Sequence, residues 1–185
     1  MNLKLTTGRP RLIAMYAVSL IVIASTIACG TDSSSGTTSI PRVVASERIY
    51  TVEDLSAAGA KTVKSYDVNE LPGAIAAWKT VFNKLDYEAR FYPSHDDAVT
   101  QGTTYADSVT GDDAVVKGNE VLWEEGERDR RKCSRAAGTP HSSCSYSARY
   151  LEYVIRGNMI LFCEGSESSE AFANCEHLLS LTEPA

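Results

Sequence analysis

Ser94, His95, Asp96 and Asp97 stand side by side and supply the residue types of a nucleophile, a base and its orienting acid. A catalytic triad meets in space from separate segments, so this adjacency argues for a different role. Ser94 reads as a helix N-cap, with Asp96 and Asp97 in the first turn complementing the helix dipole. No G-x-S-x-G elbow, H-E-x-x-H pair or phosphate-cradling loop accompanies it. A hydrolase built on this chain would have to use His95, His141 or His177. Glu124, Glu125 and Glu127 beside Trp123 carry the carboxylates that sugar hydrolysis needs, yet such pairs are defined by a separation in space. An exposed acidic turn is the default there. Asp107, Asp112 and Asp113 flank Gly111 without the ordered ligands and closing Glu of a calcium loop, and read as a solvated helix end.

Cysteine carries the sharper signal. Lys4, Arg9 and Arg11 precede an uncharged run, Leu12 to Ala28, and Cys29 follows it directly. This order is that of a secretory signal, and seventeen residues is short for a membrane span. Ser25-Thr26-Ile27-Ala28-Cys29 resembles the bacterial lipoprotein lipobox, with Thr26 where Leu is usual. The resemblance implies cleavage after Ala28 and diacylglyceryl transfer to the Cys29 thiol, anchoring the chain on the extracytoplasmic side of a bacterial membrane.

Four cysteines remain: Cys133, Cys144, Cys163 and Cys175. An even number in an exported chain favours disulfides, with three possible connectivities. Local pairing joins Cys133 to Cys144 and Cys163 to Cys175. Cys163 ends a strand-like run, MILFC, and Cys175 sits at helical spacing with Phe172, Leu178 and Leu179, so the second bridge would pin the last helix to its preceding strand. Metal binding through Cys133, His141 and Cys144 lacks the close cysteine pair of a structural zinc site, so neither a metal nor a cofactor is expected.

The same region holds the most unusual charge run. Arg128, Arg130, Arg131, Lys132 and Arg135 are interrupted by one acid, Asp129. Phosphate, anionic lipid or an acidic partner is the class of ligand such a loop would bind, while a solvated loop neutralised by nearby glutamates is the simpler reading.

The 185 residues include 18 basic and 24 acidic ones, net −6, with 43% apolar and 23% charged. Those values suit a folded chain and argue against a general nucleic-acid binder. Without residues 1–28, 15 basic residues face 24 acidic ones, so the processed chain would carry −9. Residues 29–46 open with the lipidated cysteine and a Ser/Thr/Gly-rich tether, and 47–185 form one domain.

Within that domain Thr51 caps a short helix ended by Gly59, and Lys61 to Val68 is a strand. Leu71, Ile75, Trp78 and Phe82 recur at helical spacing, which predicts a helix from Asn69 to about Asn83. Asp86 to Tyr92 alternates, placing Tyr87, Ala89 and Phe91 inward and Glu88 and Arg90 on the outer side of a half-buried strand. Ser94 opens a helix that Gly111 ends, and Asn119 to Trp123 is a short strand. Tyr150 to Ile155 and Met159 to Cys163 flank Gly157-Asn158, a hairpin that pairs Tyr153 with Phe162 and Ile155 with Ile160. Both faces of that hairpin are apolar, so it needs cover on each side. Ser166 or Ser168 caps a last helix to about Leu181. The order predicts an α+β domain with a mixed or antiparallel sheet.

SYDVNELPGAIAAW, YEARFYPSHDDAV, TGDDAV and GNMILFCEG with Cys175 resemble a group of small uncharacterised bacterial lipoproteins carrying a domain of unknown function, over about residues 48–182. The disulfide-stapled hairpin and helix at the end are also similar to extracellular sensor domains of mycobacterial receptor kinases, at the level of fold. The expectation is a membrane-tethered envelope domain, without catalysis, that binds a small ligand or an envelope protein; an envelope hydrolase and a structural module of an envelope assembly are the alternatives.

Overall fold

The computed structural model describes residues 41–132 and 146–183. Cys29, the signal segment, Cys133, Arg135, His141 and Cys144 lie outside them, and so does the expected Cys133–Cys144 bridge. The described chain forms a six-stranded mixed sheet with helices on both faces, the α+β class that the element order predicts.

Strand β1 (Val43–Val44) is followed by α1 (Val52–Ala57), β2 (Lys61–Tyr66), β3 (Ala76–Phe82) and β4 (Leu85–Phe91). A helical segment comes next in three stretches: α2 (His95–Asp97), a π-helical turn (Ala98–Gly102) and α3 (Thr103–Asp107). A long loop includes a 3₁₀ turn (Glu127–Arg130), after which β5 (Tyr150–Arg156), β6 (Met159–Glu164) and α4 (Ser168–Ser180) close the domain. The strand order is β1-β5-β6-β4-β3-β2, with β1 parallel to β5 and the other pairs antiparallel. Thr51 starts α1 through its backbone N–H, which donates to the Asp54 carboxylate at 2.8 Å.

The C-terminal hairpin keeps the register expected of its turn: Tyr153 opposite Phe162, Val154 opposite Leu161, Ile155 opposite Ile160. All six residues are buried, because the sheet is covered on both sides. On one side Ala171, Cys175, Leu178 and Leu179 of α4 pack with Leu55 of α1 against Tyr87, Ala89, Phe91, Val154, Leu161 and Cys163. Cys163 and Cys175 are joined there, with 5.6 Å between their Cα atoms. Glu167, not a serine, occupies the N-cap position of α4.

Two expected elements differ. The helix over 69–83 is instead a turn followed by β3, which forms a tight hairpin with β4 around Asn83 and Lys84. Both turn residues have positive φ, the geometry that closes two-residue hairpins. Trp78 and Phe82 are four apart, and residues four apart share a face in a strand as well as in a helix. Pro72-Gly73 breaks the helix that Leu71 and Ile75 suggested, and Ile75 is exposed. Asn119 to Trp123 is not a strand either; it is a turn between Gly118 and Gly126, both at positive φ, that drops Trp123 into the interior.

Candidate functional site

Alternation along β4 sends Tyr87, Ala89 and Phe91 to the α4 side, and Asp86, Glu88 and Arg90 to the opposite face. The sequence places Glu88 and Arg90 on the outer side. In the structure all three are at 0% exposure, because the helical segment and the loop from Val116 to Lys132 roof this face. The strand is fully buried rather than half-buried.

Burying an ion is tolerable only with partners, and the roof supplies them. Glu88 accepts from Arg90 Nε at 2.7 Å and from Arg130 Nε at 2.9 Å. Arg130 Nη1 also donates to the Trp123 carbonyl at 3.2 Å. Arg130 therefore leaves the basic loop for the interior, at 1% exposure, and is not a surface charge. The left-handed backbone at Gly126 permits this entry, since a Cβ there would lie 2.8 Å from Tyr66 and 3.0 Å from Arg130 Nη2. Burial works hardest on Glu88, pushing its pKa up. The attraction of Arg130 and then Arg90 outweighs it and holds the carboxyl below its ordinary value. Burial likewise pulls Arg90 below the usual guanidinium range, against the pull of Glu88.

A second ion group adjoins the first. Asp86 lies 3.3 Å from Lys79 Nζ and 3.0 Å from Arg149 Nη1. Lys79 also reaches Asp129 at 2.9 Å, and Arg149 ties the loop down by donating to the Asp129 and Arg131 carbonyls, each at 2.7 Å. Aromatic rings stack on the two guanidiniums of the first group. Arg90 lies 4.9 Å over Trp123 and 4.2 Å over Phe162; Arg130 lies 4.2 Å over Trp123.

Trp123 also floors an open cleft of about 500 Å³, lined by Asp67, Asn69, Glu70, Glu124 and Glu125. Glu124 and Glu125 come from the acidic turn that the sequence singled out. Asp67, Asn69 and Glu70 arrive from the turn after β2, which sequence spacing alone could not bring together with them. Asn69 donates through its backbone N–H to Asp67 at 2.9 Å, and Lys64 stands 3.5 Å from Glu125. Among the described residues no group of three His, Cys, Asp or Glu side chains is close enough to hold a metal. The cleft thus offers dispersed negative charge from Asp67, Glu70, Glu124 and Glu125, which suits a cationic ligand.

The remaining sequence candidates have structural employment. Ser94 accepts the Asp97 backbone N–H at 3.1 Å and donates its hydroxyl to the Asp97 carboxylate at 2.6 Å, as an N-cap. His95 Nδ1 donates to the Gly157 carbonyl at 2.9 Å, fastening the helical segment to the β5–β6 turn. His177 is exposed and stacks edge-on against Phe82. Asp107 accepts the Tyr153 hydroxyl at 2.6 Å. Arg131 donates to the Val116 carbonyl at 2.7 Å and pairs with Glu127. Only Arg128 and Lys132 of the described basic-loop cations are exposed.

A family model described as a family of unknown function, DUF6810, matches residues 51–184. No curated protein and no solved structure matches the chain.

Proposed function

The chain belongs to the DUF6810 family, and from that premise we propose that it is a lipid-anchored, extracytoplasmic binding domain. The cleft over Trp123 carries the binding part of this reading. It is of ligand size, open, and rimmed by four carboxylates, so its ligand is cationic: an organic amine or a basic segment of an envelope protein. The anchoring part rests on the uncharged run ending at Cys29. The ion pairs elsewhere bind the fold together, and the serine and histidine of the SHDD run cap and fasten helices. That employment favours binding over hydrolysis. Among the described residues no helix is long and apolar enough to cross a membrane.

Two measurements test the two parts separately. Cys29→Ser removes the acyl acceptor, so radiolabelled fatty acid is no longer incorporated and the chain leaves the membrane fraction; undiminished label would refute the anchor. Mass spectrometry of ligands co-purified with the native chain should return cationic species that are lost when Glu124→Gln and Glu70→Gln are combined. Equal recovery by the two forms would remove the cleft from the binding surface.

A further inference from the structure

The two edges of the sheet differ. β1, where the described chain enters, is two residues long; β2, five strand spacings or about 24 Å away, is six residues long. Lys61 to Ser65 are exposed, and among the described residues β3 is the only strand that pairs with β2. No turn or loop hydrogen bond from the described residues reaches its other side. The main-chain donors and acceptors along that side are open to another chain. A bulge at Val63 shifts the register between Thr62 and Lys64 and twists the edge there, so the regular part runs from Lys64 into Asp67.

That part of the edge borders the cleft. Lys64 and Tyr66 lie opposite Lys79 and Ala77, so they point to the face roofed by the Trp123 loop. Tyr66 meets Trp123 edge-on at 6.0 Å between ring centroids, and Lys64 Nζ stands 3.5 Å from Glu125 and 3.7 Å from Asp129. A second hollow of about 230 Å³ lies between Lys64 and the stretch Glu124–Asp129, and it shares Glu124 and Glu125 with the cleft. Together the two hollows follow β2 from Lys64 to Asp67. A strand added at this edge sends every second side chain to the same face, about 5 Å from Lys64 or Tyr66.

The charge met on that face is negative. Asp67, Glu70, Glu124, Glu125, Glu127 and Asp129 line the two hollows against Lys64 and Arg128. Lys79 and Arg131 reach Asp129 and Glu127 from outside the lining. Four cations against six carboxylates leave two negative charges. The buried layer behind does not cancel them, because Asp86, Glu88 and Glu164 balance Arg90, Arg130 and Arg149. Asp67, Glu70 and Glu124, at the cleft end, form no ion pair among the described residues.

We propose that β2 from Lys64 to Asp67 is a docking edge for an extended basic segment of another protein. The segment adds a strand by main-chain hydrogen bonds and sets alternate Lys or Arg side chains toward Glu70, Glu124 and Glu125. This rests on the cationic reading of the cleft and narrows it from any amine to a peptide. A second copy of this chain is a poorer occupant, since self-pairing brings Lys61 and Lys64 of two acidic molecules together.

The probe is a fluorescein-labelled heptapeptide of alternating Lys and Thr, followed by anisotropy with the purified full chain at low salt. Two further peptides carry N-methyl groups on all the Lys or on all the Thr residues, keeping every side chain and charge. In an added strand only every second residue turns its N–H toward β2. The expected result is saturable binding, at least about tenfold weaker for one methylated peptide and unchanged for the other. Combining Glu70→Gln and Glu124→Gln, two exposed positions, lowers affinity by a similar factor with the fold kept. Equal effects of the two methylation patterns would overturn the edge while leaving the cationic cleft standing; binding indifferent to the two glutamates would remove the cleft as well. Absence of saturable binding, or a dimer of the chain that the peptide does not dissociate, would also overturn the docking edge.

Discussion

The two faces of one sheet are built on opposite principles. Toward α4 the layer is apolar and covalently stapled: Tyr87, Ala89, Phe91 and Leu161 meet Leu178, with Cys163 bonded to Cys175. Toward the loop that carries Trp123 it is ionic: Asp86, Glu88 and Arg90 meet Lys79, Arg130 and Arg149. Strand β4 supplies both by simple alternation. The apolar face gains from every atom it removes from water, while the ionic face must first repay desolvation. One layer tolerates piecemeal change and the other does not.

The largest effect should therefore come from breaking the ionic layer at its centre. Glu88→Ala leaves Arg90 and Arg130 buried without their carboxylate and should cost about 3–5 kcal/mol in urea unfolding. A loss under about 1 kcal/mol would mean that the two faces do not differ as described. The layer also has a pH signature. The folded-state pKa of Glu88 is depressed, so its contribution is complete above the unfolded carboxyl value and is lost as pH falls through the folded one. Glu88→Gln should remove that acid-dependent component, and unfolding midpoints between neutral pH and pH 3 would show it.

On the apolar face, replacing Cys163 and Cys175 together by Ala should cost less, about 2–4 kcal/mol, with the fold retained below the transition. Peptide mapping without reduction should recover this pair linked. The smallest effect separates neighbours in one loop. Arg128→Ser and Lys132→Ser change exposed charges and should stay within about 0.5 kcal/mol of wild type, whereas Arg130→Ser should fall with Glu88→Ala. Similar midpoints for all three would return Arg130 to the surface.

How far the sequence could be read follows the same division. The β5–β6 hairpin, α4 and their disulfide are local, and alternation, the Gly157-Asn158 turn and the spacing of Cys175 specify them within about thirty residues. The ionic layer is not local. Glu88 meets Arg130 forty-two positions away, in a segment whose composition is that of a solvated loop. Alternating charge on β4 reads as an outer face because nothing in those residues announces a polar roof. β3 is ambiguous for another reason: Trp78 and Phe82 satisfy helical and strand periods at once, and only the Asn83-Lys84 turn separates the two. Of the cleft, the acidic turn beside Trp123 was visible, and the turn carrying Asp67 and Glu70 was not.

The pairing of β4 with β6 joins Tyr87 to Cys163, across most of the domain. A chain emerging from its N-terminus completes the β2–β3–β4 meander long before β6 exists, and β4 then has an open edge. Such edges template aggregation when they are long and apolar. Here the unfinished meander presents Asp86, Glu88 and Arg90 to water along one side of that edge, where full hydration costs them nothing. The charges that are most expensive in the finished domain would be the ones that keep a half-made precursor soluble, and their burial would wait on the long-range pairing of β4 with β6.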